Sequence, residues 1–249
     1  MLAGAPRGDA ASGSSDTASA ETQRYPVVAV AAPWRGLARS PAARPDVIEA
    51  ENLHESRILH IGHAAETSGR LGFQQTEAYQ VASLGRAQCQ AGDYQAGSAT
   101  LQLAVDKAEA TGDVRMAALA RVHLGRVLRA LGHVARARTA LEAAAAWHRN
   151  AGGGEQAALG ECLLAALDAA DRCSDAEERL IAILDDARRN GDAHVEVFAL
   201  DALARIAADT GDIATARGLC ATADRRLQSA SHFITDFDRT DARSVRQTT

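Results

Sequence analysis

The sequence predicts an all-α protein, a right-handed α-solenoid of about four helix-turn-helix repeats that follows a disordered N-terminal segment. One reason is an internal echo: LGRAQCQAGDY, beginning at Leu84, returns about forty residues later as LGRVLRALGHV, beginning at Leu124. A second reason is composition, because the chain is 47% hydrophobic but only 4% aromatic, and its abundant Ala and Leu favour helices. The third is the recurrence of Gly and Asp where turns between helices are due.

The echo divides the chain into repeating units. The matching positions of the first two units, forty residues apart, are Gly85 and Gly125, Gly92 and Gly132, Leu101 and Leu141, Ala104 and Ala144, and Gly112 and Gly152. The third unit follows at a spacing of 39 residues, as in Leu141 and Leu180, and the fourth at 40 to 41, as in Ala176 and Ala216. Repeats of this length are typical of stacked helical pairs.

Each unit contains two amphipathic stretches of about 17 residues, which suit helices about 26 Å long. Helices are predicted at residues 46–68, 73–90, 94–110, 114–130, 134–149, 154–169, 175–189, 193–209 and 213–229. Five residues are predicted to cap helix N-termini with a side-chain oxygen: Asp93, Asp113, Ser174, Asp192 and Asp212. Gly112, Gly191 and Gly211 are predicted to end helices at positive φ.

Two glycines fall in the middle of predicted helices. At such a position Gly85 and Gly125 each cost about 1 kcal/mol relative to Ala. We therefore expect the partner helix to approach closely at both glycines.

Composition separates three parts of the chain. Residues 1–44 are rich in Ala, Gly, Ser, Pro and Arg without apolar periodicity, which predicts a disordered leader. Residues 45–229 form the repeat domain, and residues 230–249 are a tail in which Phe233, Ile234 and Phe237 are spaced to close the C-terminal end.

The helix predicted at 46–68 resembles the second helix of a unit whose first helix is absent. Its open flank would be covered by the leader, by a partner, or by upstream sequence of a longer protein. We favour the last of these. A second copy of the chain is one such partner, so homo-oligomers through this flank are also considered.

Charge and the pattern of apolar residues argue against several classes of protein. The formal net charge of −5 gives no positive field for direct nucleic-acid contact. No apolar run approaches the roughly 20 residues of a membrane span, and no signal peptide is recognisable, so a cytoplasmic location is expected. The cysteines, Cys89, Cys162, Cys173 and Cys220, show no CxxC pairing, and free thiols are expected.

The repeated residues resemble tetratricopeptide repeats, which combine Leu-Gly in the first helix, Gly-x-Tyr at the turn, and Ala with a large apolar residue in the second helix. The corresponding residues of the first unit are Leu84-Gly85, Gly92-Asp93-Tyr94, Leu101 and Ala104. The usual first-helix Trp is missing, Gly97 replaces an Ala, and the period is about 40 instead of 34, which implies longer helices. The repeats and tail also look like the end of large bacterial ATPase-type transcriptional regulators.

The resemblance implies a protein- or peptide-binding groove lined by the first helix of each unit. Carried over position by position, it places eight residues there: Tyr79, Arg86, Gln90, Arg126, Arg129, Phe198, Asp201 and Arg205. Arg86, Arg126 and Arg205 occupy equivalent positions and would form a ladder for the carboxylates of a bound peptide. The alternative is that these arginines pair with Glu161, Asp168 or Asp201 on neighbouring helices.

The predicted function is a non-catalytic scaffold, the sensor or interaction module of a bacterial signal-transduction or transcriptional regulator. The chain contains no phosphate-binding loop, dinucleotide fingerprint or HExxH motif, so neither an enzyme nor a cofactor is predicted. One alternative is a metal protein or enzyme that uses His54, His60 and His63. Another is a truncated remnant of a larger regulator without activity of its own.

Overall fold

The computed structural model describes residues 45–151 and 155–229. Within these residues the regular structure is helical, and the helix bounds agree with the predicted ones to within about two residues. The helices are α1 (Pro45–Arg70), α2 (Gln74–Gln90), α3 (Tyr94–Ala110), α4 (Val114–Ala130), α5 (Val134–Ala151), α6 (Glu155–Ala170), α7 (Ala176–Asn190), α8 (Ala193–Asp209) and α9 (Ile213–Ser229). The leader at 1–44 and the tail at 230–249, with its three apolar residues, lie outside the described residues.

Asp side chains cap most of the helices for which a cap was predicted. The Asp93 carboxylate accepts a hydrogen bond from the Ala96 N–H at 3.0 Å. Asp113, Asp192 and Asp212 accept equivalent bonds at the starts of α4, α8 and α9. The glycines at 112, 191 and 211 have φ of 69°, 70° and 84°, as predicted.

The predicted cap Ser174 is wrong. Helix α7 is preceded by Asp175, whose side chain makes no capping hydrogen bond. The turn before α7 covers residues 171–175 and is two residues longer than the turns at Gly92 and Gly132, so Ser174 lies inside it. This turn also lacks glycine, and Arg172 adopts the left-handed conformation, with φ of 59°.

Consecutive helices pack against each other along the described chain, and the first helices of successive units also contact one another: α2 with α4, α4 with α6, and α6 with α8. We call these four helices the first-helix layer. None of the described helices combines the length and apolar character that a bilayer span requires. The layer therefore positions the side chains of four separate repeats on neighbouring helices.

Close approach of the two helices in a unit occurs at the predicted glycines. A Cβ atom added to Gly125 would lie 2.7 Å from Leu141 Cδ2 on α5. At Gly85 the same atom would lie 3.1 Å from the Gly97 carbonyl oxygen on α3. Both contacts are shorter than normal packing distances, so the expected role of the two glycines is confirmed.

Replacing Gly125 by Ala should lower the free energy of unfolding. The new methyl group overlaps Leu141, and overpacking of this kind typically costs about 1–3 kcal/mol, which exceeds the gain of Ala over Gly in a helix. Urea unfolding followed by circular dichroism measures the change. Gly218→Ala on α9 is the matched control, because no atom lies within 4 Å of its added Cβ; it should be stabilising by up to about 1 kcal/mol. Equal effects of the two substitutions would contradict the packing argument.

A buried histidine lies near the end of α5. The His148 side chain is 7% exposed, and both ring nitrogens lack a hydrogen-bond partner. Burial lowers the pKa of His148 below its ordinary value, because the charged form is poorly solvated there. The fold therefore favours the neutral imidazole.

Stability should consequently fall as the pH drops below about 6.5, where His148 takes up a proton in the unfolded chain but not in the folded one. The loss ends once the pH is below the lowered folded pKa. Urea unfolding at a series of pH values measures it, and His148→Asn should flatten the profile in this window. His63→Asn, at an exposed position of α1, is the control. A profile unchanged by the His148 substitution would refute the assignment.

Candidate functional site

The structure brings together five of the eight predicted groove residues. Arg126 and Arg129 lie on α4, and Phe198, Asp201 and Arg205 lie on α8. The Arg126 guanidinium carbon lies 5.1 Å from the centre of the Phe198 ring. One pocket of the first-helix layer is lined by four of the five residues, namely Arg129, Phe198, Asp201 and Arg205. The site therefore combines residues that are more than 70 positions apart in sequence.

Arg126 of α4 contacts Phe198 of α8 across helix α6, which lies between these two helices. Both side chains are buried, with exposures of 3% and 5%, and His194 meets the Phe198 ring edge-on at 5.4 Å. Helix α6 carries the small, fully buried Ala165 at the position equivalent to Arg126, which leaves room for the long side chain. A desolvated cation–π contact of this kind contributes about 2 kcal/mol.

The sequence pattern assigned Arg126, Phe198 and Asp201 to an open groove, and the structure instead buries all three, with Asp201 only 1% exposed. The reason is that α4 and α8 come close enough for their side chains to meet over α6. The middle of the first-helix layer is therefore filled by the protein's own side chains. Open surface remains beside this cluster.

The open part of the site is a pocket between α6 and α8. The pocket is shallow, with a cavity volume of about 20 Å³, and it opens to solvent. The wall is largely apolar and includes Leu163, Ala166, Ala202 and Ile206, while Arg129, Asp201, Arg205 and Asp209 supply the charged groups. An apolar wall with a few converging polar groups is typical of ligand sites.

Arg205 is a partly exposed cation of this pocket. Its side chain is 41% exposed, and its Nε lies 3.9 Å from an Asp209 carboxylate oxygen on the same helix. That separation exceeds hydrogen-bond length, and a guanidinium has five N–H donors. Arg205 thus retains donors that can bind an oxygen of a ligand.

Two of the three carboxylates proposed as alternative partners of the arginine ladder, Glu161 and Asp168, bind other arginines. Glu161 accepts a hydrogen bond from Arg149 at 2.7 Å. Asp168 accepts from Arg179 at 2.7 Å and also from Arg138. Burial by itself raises the Asp168 pKa, but the two guanidinium groups outweigh it and hold this pKa below its ordinary value. Asp168 therefore joins α5, α6 and α7, and its role is structural.

The other three predicted residues lie on α2. The Tyr79 side chain is 55% exposed, and Arg86 is also exposed. Gln90 is half-buried and accepts a hydrogen bond from Arg57 Nη1 of α1 at 2.8 Å. Gln90 is thereby engaged at the contact between α1 and α2, whereas Tyr79 faces solvent.

Several groups of the site escaped the sequence reasoning. Cys162, Leu163 and Ile206 line the pocket, but apolar residues on a helix face usually indicate core. Burial raises the pKa of the Cys162 thiol to about 12, so this thiol stays protonated and is a poor nucleophile.

Glu196 is buried on an otherwise apolar face of α8 and was also missed. It accepts hydrogen bonds from Arg188 Nε at 3.3 Å and from Arg226 Nε at 2.7 Å. It ties α8 to α7 and α9 and so fixes the pocket wall.

The three histidines of α1 do not form a metal site. No group of three or more His, Cys, Asp or Glu among the described residues could hold a metal ion. His54 is six residues before His60, about 240° around the helix, and His60 Nδ1 contacts the Ser56 carbonyl oxygen at 2.8 Å.

Comparison with known proteins leaves the family open. No protein-family model matches the chain, and a search of curated proteins finds no significant match. The resemblance to tetratricopeptide repeats therefore stays a prediction from the sequence pattern.

A double-mutant cycle should detect the contact across α6. Arg126→Leu and Phe198→Leu remove the two partners singly and together, and we expect a coupling free energy of about 0.5–2 kcal/mol from urea unfolding. Arg126→Leu combined with Tyr79→Leu is the control, since the exposed Tyr79 on α2 should contribute independently. A coupling of zero in the first cycle would mean that the ring and the cation do not interact.

Proposed function

We propose that this chain is a non-catalytic helical-repeat scaffold that binds a peptide segment of a partner protein along the first-helix layer. The pocket between α6 and α8 receives an apolar residue of that segment, and Arg205 binds a carboxylate beside it. The observation that carries this proposal is the half-exposed Arg205, with open donors, at an apolar pocket.

The chemistry of the pocket favours a ligand with apolar and anionic groups close together. Guanidinium and carboxylate form paired, charge-assisted hydrogen bonds. Leu163, Ala166 and Ala202 line the pocket and offer an apolar surface that an aliphatic group can contact. The carboxylate is either an acidic side chain or the carboxyl terminus of the peptide. Asp209 keeps the guanidinium near the pocket without occupying all of its donors.

The handedness of the helix array and the type of its repeats are part of the same proposal. The helices form a right-handed solenoid of about four tetratricopeptide-like repeats, and the scaffold acts in the cytoplasm as the sensor or interaction module of a bacterial signal-transduction regulator. The support for this is the forty-residue repeat with its Leu-Gly and Gly-Asp positions. Side-by-side packing of the first helices agrees with such an array.

Substitution of Arg205 should weaken peptide binding. Octapeptides from a random library with free carboxyl termini are selected on the purified chain, and their affinities are measured by fluorescence anisotropy. Arg205→Ala should lower the affinity about tenfold or more, because a hydrogen bond to a charged group contributes about 1.5–3 kcal/mol. Amidated versions of the selected peptides distinguish a terminal carboxylate from an acidic side chain.

Arg217→Ala is the matched control, since Arg217 is an exposed arginine of α9 outside the pocket. It should leave the affinity unchanged. The proposal is wrong if no peptide is selected, or if the selected peptides bind the Arg205 and Arg217 variants equally well.

A further inference from the structure

Helix α7 carries a row of exposed side chains in which an apolar residue stands between two negative charges. The row consists of Glu177, Ile181 and Asp185, which follow one another at intervals of four residues and so lie along one face of the helix. Ile181 is 46% exposed, whereas Leu180 and Leu184 of the same helix are buried. The two charged positions lie about 6 Å to either side of Ile181 along the helix axis. We call these three residues the acidic row.

Helix α9 carries an exposed row with the same spacing and the opposite charge. This basic row consists of Arg217, Ala221 and Arg225. The two arginine positions are about 12 Å apart along the helix axis, which is also the separation of the two acidic positions on α7. Gly218 lies beside Ala221 and is exposed, with no atom within 4 Å of an added Cβ. The middle of the basic row therefore has only small residues and can accept a bulky side chain.

The two rows are complementary in both charge and shape. When they face each other, Ile181 lies over Ala221 and Gly218, and each carboxylate meets a guanidinium. Carboxylate and guanidinium form paired hydrogen bonds, and complementary charges at matched spacing set the register of two surfaces. The charged groups that would oppose an apolar partner on either helix thus favour the other row as the partner.

A second copy of the chain can supply the missing row to each helix. Both α7 and α9 pack on α8, and in one chain both rows are exposed, so they do not cover each other. In a pair of copies, α7 of one copy faces α9 of the other, and the same contact forms a second time with the roles exchanged. Symmetric dimers use the same surface of both copies in this way.

We propose that two copies of this chain associate through these rows, with α7 of each copy packed against α9 of the other. Each contact places Ile181 of one copy between two ion pairs. The rows belong to second helices, which lie behind the first-helix layer. The pocket between α6 and α8 therefore stays open in the dimer, and the proposal is independent of peptide binding.

Charge reversal with complementation tests this pairing on the full chain. The α9 variant combines Arg217→Glu with Arg225→Glu, and the α7 variant combines Glu177→Arg with Asp185→Arg. Each variant alone places like charges opposite each other in both contacts, so each should lower the association constant at least about tenfold. Sedimentation equilibrium over a series of protein concentrations measures this constant.

An equimolar mixture of the two variants should regain the association of the unchanged chain. In the mixed dimer the acidic α7 and α9 of one variant face the basic α9 and α7 of the other, so each contact again joins opposite charges. Recovery in the mixture also shows that neither variant lost its fold. Circular dichroism of each variant alone gives an independent measure of its helix content.

Arg115→Glu combined with Arg136→Glu is the matched control, because both arginines are exposed, lie outside α7 and α9, and give the same change of net charge. This control should leave the association constant unchanged. Ile181→Ala should weaken association several-fold, whereas Val134→Ala should not, since Val134 is an equally exposed apolar residue of α5, at 46%.

Three outcomes would overturn the proposal. The first is an unchanged chain that stays monomeric at every concentration. The second is a dimer that neither reversal weakens, because its interface would then lie elsewhere, for instance at α1. The third is a mixture of the two variants that stays dissociated, or a control that dissociates as much as they do, since net charge and not the facing rows would then govern association.

Discussion

The fold depends on close packing of small residues between the two helices of each unit, and this packing positions the first helices that carry the pocket. Gly85 of α2 meets Gly97 and Leu101 of α3, and Gly125 of α4 meets Leu141 of α5, at distances that leave no room for a further Cβ. Because each second helix lies so close behind its first helix, the first helices can contact one another as a layer. The pocket and the Arg126–Phe198 contact both depend on this layer.

Two carboxylates, the partly buried Asp168 and the buried Glu196, then connect the helices that form the pocket. Asp168 binds Arg138 of α5 and Arg179 of α7, and Glu196 binds Arg188 of α7 and Arg226 of α9. Each carboxylate has two guanidinium partners, which compensates for the cost of removing its charge from water. Helices α6 and α8 are thus held from both sides, and the apolar wall between them keeps its shape while Arg205 faces solvent.

The sequence was sufficient to predict the helices, because their apolar spacing, Asp caps and turn glycines all indicate the same bounds. Ser174 was assigned wrongly since the turn after α6 is longer than its counterparts, and repeat spacing does not report the conformation of a single turn. The burial of Arg126 could not be predicted either. It depends on the distance between α4 and α8, which follows from packing across α6 and has no local signal in the sequence.

The first and last described helices expose different kinds of side chain. Helix α9 exposes Arg217, Arg225 and Gln228, polar groups that water solvates well. At the other end, α2 exposes Tyr79, and Ile61 and Ala64 of α1 are half-buried. Uncovered apolar surface costs free energy in water. The repeat geometry that buries Leu101 and Leu141 therefore leaves their counterpart on α1, Ile61, only half-buried.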